Sequence, residues 1–338
     1  MNKKDIGLLV LILIVGLGVY LRNPLFLSPN NISNTANLIG LFGLFAIAQG
    51  FVVITGGIEL SAGSMIALLG VLFVDMVGRL GVPWPIAASV VMVLGSTLGL
   101  THGLLVTKLK MQPFVVTLCG LLIYRGVARG YTADATAGFP FGSTYPGLDF
   151  FVARYWGIPT SVFVLVVVGV IAWIVLHRSI YGRYLFAIGK NEEAARFSGI
   201  RTNVVIASAY VVHASLTALA AIFFAMYTRS VQPSGHANFY ELYAIAAAVL
   251  GGFSLRGGEG SIIGVILGTV LLQVLQNLVN LLGIPSSLNF AVMGTVILVG
   301  VLVDQQFGFY RERRRTMQAM RTRAEAPRGL SAAAKSSS

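Results

Sequence analysis

Charge is scarce in this sequence: Asp, Glu, Lys and Arg make up 11% of its 338 residues, where a soluble domain carries about 25%. That scarcity excludes an ordinary soluble enzyme. Cysteine is almost absent. The single Cys119 lies in an apolar run, so no disulfide framework or multi-cysteine metal site forms within the chain, and a packed, inert thiol is expected. Histidine is equally sparse, and His102 and His213 are lone residues in apolar stretches, expected to be satisfied interior groups rather than metal ligands or proton relays. No G-x-x-x-x-G-K-[ST] loop is present. The nearest string, Gly189-Lys190-Asn191, lacks both the spacing and the hydroxyl, so nucleotide chemistry belongs to another chain. A membrane-embedded enzyme would need a metal cluster, a nucleophile elbow or a carboxylate pair, and none is there.

What the sequence has instead is apolar length: 56% hydrophobic residues and a mean hydropathy of +0.82. A spanning helix needs about 20 mainly apolar residues, and that ruler gives ten candidates at 6–21, 34–54, 64–78, 85–107, 114–128, 161–177, 204–226, 241–253, 261–282 and 288–304. The first could pass for a signal peptide, but no small-x-small cleavage site follows it, and it reads as a retained span. Three candidates (64–78, 114–128 and 241–253) are short for a bilayer, which predicts broken, tilted or protein-buried helices. The fold class is therefore an all-α polytopic membrane protein of about ten spans, some broken or short.

The formal net charge of +12 would suggest a nucleic-acid partner in a soluble protein. Here its placement reads as topology. With the N-terminus inside, inner segments collect 18 of the 24 basic residues, which obeys the positive-inside rule with both termini cytoplasmic. Residues 1–305 form the transmembrane domain, with a polar, aromatic-rich outer loop at 129–160 and the longest inner loop at 177–203. Residues 306–338 form a basic cytoplasmic tail, too polar to bury a core, expected to be disordered and available to anionic lipid. No nucleic acid is expected as a partner.

Four elements stand out against this background. Thr55-Gly56-Gly57-Ile58-Glu59-Leu60-Ser61-Ala62-Gly63-Ser64 interrupts continuous hydrophobicity, and a related string runs from Gly251-Gly252 to Gly258-Glu259-Gly260-Ser261. Paired Gly-interrupted segments are the trace of an internally repeated transporter, or simply tight turns between helices. Glu59 resists the second reading, because a carboxylate near membrane depth is costly unless paired or wetted. In the span 261–282, Gln273, Gln276, Asn277 and Asn280 share one helical face, with Gly264 and Gly268 roughly opposite. Four amides that both donate and accept suit a path for a neutral, hydroxyl-rich solute, or interhelical hydrogen bonding. Gly95, Gly99 and Gly103 read as a packing stripe, and Arg125 as a residue that snorkels outward.

The fourth element is Gly189-Lys190-Asn191-Glu192-Glu193-Ala194-Ala195-Arg196-Phe197-Ser198-Gly199-Ile200. Asn191 is an N-cap, Glu192 and Glu193 complement the first turn, and Gly199 closes the helix. A two-turn helix is unstable alone, so it docks on the protein's own surface or in a partner's groove.

These strings, together with Val53-Ile54 before the first, Tyr240-Glu241-Leu242-Tyr243-Ala244-Ile245-Ala246-Ala247-Ala248-Val249-Leu250-Gly251-Gly252 and Asn280-Leu281-Leu282-Gly283-Ile284, resemble the membrane permeases of ribose-type ABC sugar importers, in order over about residues 5–305. The family usually has Asp where Glu59 and Tyr243 stand and Asn where His102 stands. The resemblance implies a multi-pass protein of the bacterial inner membrane. It implies a permease pair, identical or paralogous, with two ATP-binding subunits that hold the ATP and Mg and a solute-binding protein that delivers a monosaccharide from outside. The chain itself would carry no cofactor and perform no covalent chemistry. By position, Asn191, Glu192, Glu193, Ala194, Ala195, Ser198 and Gly199 would form the coupling helix on the ATPase. Gln273, Gln276, Asn277 and Asn280 would line the translocation path, with Thr55 and Glu59 at its inner gate. Permeases for branched-chain amino acids or a furanosyl signal molecule share much of this pattern. A proton-coupled carrier would need more intramembrane carboxylates than Glu59 and the span-end residues Asp75, Asp304 and Glu241.

Overall fold

The computed structural model describes residues 3–285 and scattered positions between 288 and 298. Two compact units meet in sequence at Asn289 and Phe290, and the elements below belong to the first. Its helices are α1 (Lys3–Arg22), α2 (Pro29–Val53), α3 (Ala62–Gly78), α4 (Trp84–Thr107), α5 (Pro113–Thr132), α6 (Thr160–Arg178), α7 (Ile180–Lys190), α8 (Glu192–Phe197), α9 (Thr202–Thr228), α10 (Tyr240–Leu250) and α11 (Ile262–Leu281). Among the described residues seven of these are long and apolar enough to cross a membrane: α1, α2, α4, α5, α6, α9 and α11. With the shorter α3 and α10 they account for nine of the ten expected spans. The tenth, 288–304, lies mostly outside the described residues, as do the tail at 306–338 and the C-terminus. In the second unit Thr295 Oγ1 donates to Ala291 O at 2.8 Å, the spacing of a helical turn.

The expected shortness of the spans holds for α3, with 17 residues, and α10, with 11. It does not hold for 114–128. There α5 runs 20 residues because its cations are answered within the protein. Arg125 does not snorkel: its Nη1 donates to Pro233 O and His236 O at 2.9 and 2.8 Å. Arg129 pairs beyond the helix with Asp134, Nε to Oδ1 at 2.6 Å. Two further expectations are corrected. Cys119, on α5, is exposed rather than packed. The inner loop 177–203 holds an additional helix, α7, ahead of the expected short one, with Ser179 accepting from the Gly182 N–H as its N-cap.

The core lies where α2 and α9 cross the other helices. Leu44, Phe45, Ile47 and Val52 of α2 and Ala214, Ala218 and Ala221 of α9 are buried. The stripe of Gly95, Gly99 and Gly103 on α4 lets that backbone close on α9. A Cβ at Gly95 would sit 2.7 Å from Ala218 Cβ, and one at Gly103 2.7 Å from Ala207 Cα. Gly264 and Gly268 do the same for α11 against Gly251 and Ala247 at the end of α10. By contrast α1 leaves Leu13, Ile14 and Leu21 exposed, apolar surface suited to lipid.

The 129–160 segment is largely irregular. Its Ala137–Gly138 pairs antiparallel with Ser230–Val231, and Arg154–Tyr155 with Ile158–Pro159. The first pairing ties this segment to the stretch after α9.

Candidate functional site

Two interruptions of the helical bundle organise the site. The first is the stretch 54–61 between α2 and α3. Gly56 turns the chain at φ +81°, a conformation that costs glycine little. Ile58 O accepts from Thr117 Oγ1 at 3.1 Å. Glu59 is 1% exposed. Its Oε1 accepts from the Ser61 N–H at 2.6 Å, and its Oε2 lies 2.9 Å from His102 Nδ1. A carboxylate only accepts, so Nδ1 carries the hydrogen, and His102 Nε2 is hydrogen-bonded to the Tyr124 hydroxyl at 2.8 Å. One acidic side chain thus joins the break to α4 and α5. His102 is a satisfied interior group as expected, but its partner is 43 residues away in sequence. His213 is interior as well, yet neither of its ring nitrogens has a hydrogen-bond partner, which corrects the expectation of a satisfied group.

The second interruption is the stretch 229–239 before α10. Arg229, Ala237 and Phe239 all take positive φ, at +54°, +55° and +63°, which is uncommon for residues with a side chain. The Arg125 guanidinium holds the carbonyls of Pro233 and His236. Glu241, at the start of α10, is buried and lies against the backbone of Gly63 in the first turn of α3. A Cβ on Gly63 would overlap both Ala237 O and Glu241 Oε2, so glycine is required for this approach. Irregular backbone inside a membrane protein persists where protein buries it or a cavity is lined by it; the first interruption meets that condition, with Ile54, Gly57, Glu59 and Ser61 buried, whereas most of the second is exposed.

The amide face of α11 divides. Gln273 is buried and lines a small cavity of about 10 Å³ with Phe42, Phe45, Tyr243 and Thr269. Asn277 commits its amide to α2: Nδ2 donates to Asn31 Oδ1 at 2.8 Å and Thr35 Oγ1 at 3.1 Å, and Oδ1 accepts from Asn31 Nδ2 at 3.0 Å. Gln276 is half-buried and Asn280 is exposed. Next to Gln273 sits an aromatic group that hydropathy counting did not single out. The Phe42 and Tyr240 ring centroids are 4.6 Å apart, and Phe45 and Tyr240 stack at 6.0 Å. A clue was present in the paired Tyr240 and Tyr243 of the α10 string.

The inner-loop helix forms as its capping residues predict. Asn191 Oδ1 accepts from the Ala194 N–H at 2.9 Å, Ser198 Oγ donates to Ala194 O at 2.9 Å, and Gly199 leaves the helix at φ +86°. Ala195 packs inward, while Glu192, Glu193 and Ala194 are exposed. Phe197, which the sequence reading passed over, is 83% exposed at the end of α8. A cavity of about 320 Å³ brings Thr55 of the first break and Glu192 of α8 to one lining, with Lys110, Gln112 and Tyr210. Among the described residues no group of three or more His, Cys, Asp or Glu side chains could hold a metal ion.

Comparison with known proteins agrees with this arrangement. Residues 31–301 match the family described as branched-chain amino acid transport system / permease component. The ribose import permease protein RbsC of Bacillus subtilis (strain 168) is 40% identical over 89% of this chain and 91% of its own length, and that of Escherichia coli (strain K12) is 38% identical over 90% and 94%. The xylose transport system permease protein XylH of Escherichia coli (strain K12) is 30% identical over 82% and 86%. No solved structure matches. A polytopic bundle broken at two places, a capped surface helix beside one break and these relatives over nearly the whole length place the chain in the ABC-importer permease family of the branched-chain amino acid transport type.

Proposed function

We propose that this chain is the membrane subunit of an ATP-driven importer for a monosaccharide of the pentose class. It would lie in a bacterial inner membrane with both termini in the cytoplasm. The named solutes of its relatives, ribose and xylose, favour a sugar over an amino acid or a furanosyl signal molecule. The observation that carries the reading is α8: a capped helix that buries Ala195, presents Glu192, Glu193 and an exposed Phe197, and borders the same cavity as Thr55. An exposed aromatic flanked by charge is the composition of an anchor in a partner's groove. The partner is an ATP-binding subunit, present in two copies under a pair of these permeases. It carries the ATP and Mg, and a solute-binding protein feeds the outer side.

Alternating access follows from this arrangement. Closure of the ATP-binding subunits displaces α8, and the helices reopen toward one side and then the other. Gln273, Gln276 and Asn280, with the Tyr243 ring, meet the sugar hydroxyls and apolar ring faces. Asn277 holds α11 to α2 beside them. Glu59 and Thr55 hold the inner end of the first break from within the packed helices.

Proteoliposomes containing this chain, its ATP-binding partner and a pentose-loaded binding protein test the reading. Labelled ribose or xylose should accumulate only with ATP inside the appropriate compartment, and accumulation driven by a proton gradient without ATP would sink it. Replacing Gln273, Gln276 and Asn280 by Leu should abolish accumulation while the subunits still co-purify. Phe197→Ala should cost about 2 kcal/mol of partner binding, read as loss of ATPase co-purification from a chain whose melting temperature is unchanged.

A further inference from the structure

Three glycine-bearing segments, distant in sequence, meet at one point. Gly189 lies in the last turn of α7, which passes through Lys190 and Asn191 into α8, with the Asn191 N–H bonded to Ala187 O at 3.1 Å. Ile54 opens the break after α2, and its carbonyl accepts from the Gly258 N–H at 2.8 Å. Gly257 and Gly258 lie in the loop between α10 and α11, at φ +82° and +74°. That loop is closed on itself by the Gly257 N–H to Ser254 O at 2.9 Å and the Ser254 N–H to Glu259 O at 3.1 Å.

The approach is backbone to backbone. A Cβ on Gly257 would lie 2.8 Å from Gly56 N and 2.9 Å from Gly189 O. A Cβ on Gly189 would overlap Ile54 O and Gly258 N, and one on Gly258 would lie 2.9 Å from Lys190 N. The Lys190 side chain lies over Gly258, its Cγ 2.5 Å from that Cβ position, while at Gly189 and Gly257 the neighbours are main chain, which has no rotamer through which to yield.

We propose that Gly189, Gly257 and Gly258 are positioning residues that fasten the approach to α8, the break before α3 and the α10–α11 loop into a single rigid node. A displacement of α8 then moves the ends of α2, α7 and α10 together rather than one helix alone. The inference rests on the reading of α8 as the ATPase contact and adds the route by which its motion reaches the ends of α2 and α10. The two glycine-rich strings of the sequence therefore act as one joint, because Gly258 of the second bonds to Ile54 beside the first.

The test uses the full chain assembled with its ATP-binding partner. Gly258→Val places a β-branched side chain at positive φ against Lys190. Initial pentose uptake should fall about tenfold or more while the ATPase still co-purifies and hydrolyses ATP, so that more ATP is used per sugar. Uptake and coupling ratio at the wild-type values would overturn the proposal. Should Gly258→Val fail to assemble, a second variant decides. In a Cys119→Ser background, Lys190→Cys and Arg256→Cys, both at exposed positions, are joined by a short bismaleimide. Uptake that survives the cross-link supports a node moving as one body. Uptake lost on cross-linking, with the uncrosslinked double variant active, means the segments must slide past one another and overturns it. A wild-type chain that neither binds the ATPase nor needs ATP would instead defeat the underlying functional reading, which separates the two failures.

Discussion

The break before α3 and the break before α10 face the same physical problem with opposite charges. Each interrupts the helices and leaves backbone polar groups that must find partners elsewhere. At the first, carboxylates satisfy the donor end of a helix: Glu59 takes the Ser61 N–H, and Glu241 lies against Gly63 in the first turn of α3. At the second, a cation satisfies acceptors, with Arg125 spanning the carbonyls of Pro233 and His236. The backbone differs as well. The first break turns on Gly56, whereas the second holds Arg229, Ala237 and Phe239 at positive φ. Residues held there cost about 1 kcal/mol or more each and persist only when surroundings over-determine them. The first break is thus cross-linked to α4 and α5, and the second is strained and held by the Arg125 guanidinium together with the pairing of Ser230–Val231 to Ala137–Gly138.

Substitutions sharpen or break that contrast. The largest effect is expected from Glu59→Leu, which leaves His102 and the Ser61 N–H buried without their acceptor and should cost about 3 kcal/mol. Thermal unfolding in detergent would show it, and adding His102→Leu should recover part of the loss. No recovery would mean that the pair does not act as a unit. Arg125→Leu strands two carbonyls and should cost about 2 kcal/mol. Here hydrogen exchange should quicken across 229–239 while the 54–61 stretch stays protected. Equal acceleration at both would erase the distinction between them. Tyr124→Phe removes one hydroxyl from His102 and should cost about 1 kcal/mol, visible as a small drop in melting temperature with uptake retained.

The smallest effect lies outside both breaks, at Asp134. Its carboxyl is held below the ordinary aspartate range by the Arg129 hydrogen bond. A lowered folded-state pKa gives stability that is present above the unfolded pKa and is lost as pH falls through the folded one. Both partners are about half exposed, so solvent screening removes most of the benefit. Asp134→Asn should leave the melting temperature near that of wild type at neutral pH, and any difference should vanish in acid.

Several features of this fold were legible one residue at a time. The spans follow from apolar length, the cap at Asn191 from its amide before a helix, and the packing stripe of α4 from glycine at four-residue spacing. The partnerships were not legible, because they join residues with no local signature of each other. Arg125 looked like a snorkelling cation because its acceptors are main-chain carbonyls more than a hundred residues on. Asn277 looked like its neighbours on one face, but only the approach of α2 distinguishes the amide that bonds Asn31 from the one that lines a cavity with Tyr243. Cys119 looked packed because an apolar run does not say which side of a helix meets protein.

By itself the sequence determined that this chain is a multi-helix membrane protein with a short capped helix outside its spans, since hydropathy, period and capping are local properties. The tertiary structure alone decided that Glu59 is locked to His102 and through it to Tyr124, that Arg125 holds two carbonyls of the second break, and that three glycine segments close on one another. Those choices depend on which helices come near enough for main chain and buried polar groups to meet. In a low-dielectric interior, that proximity determines whether a polar group is a cost or a link.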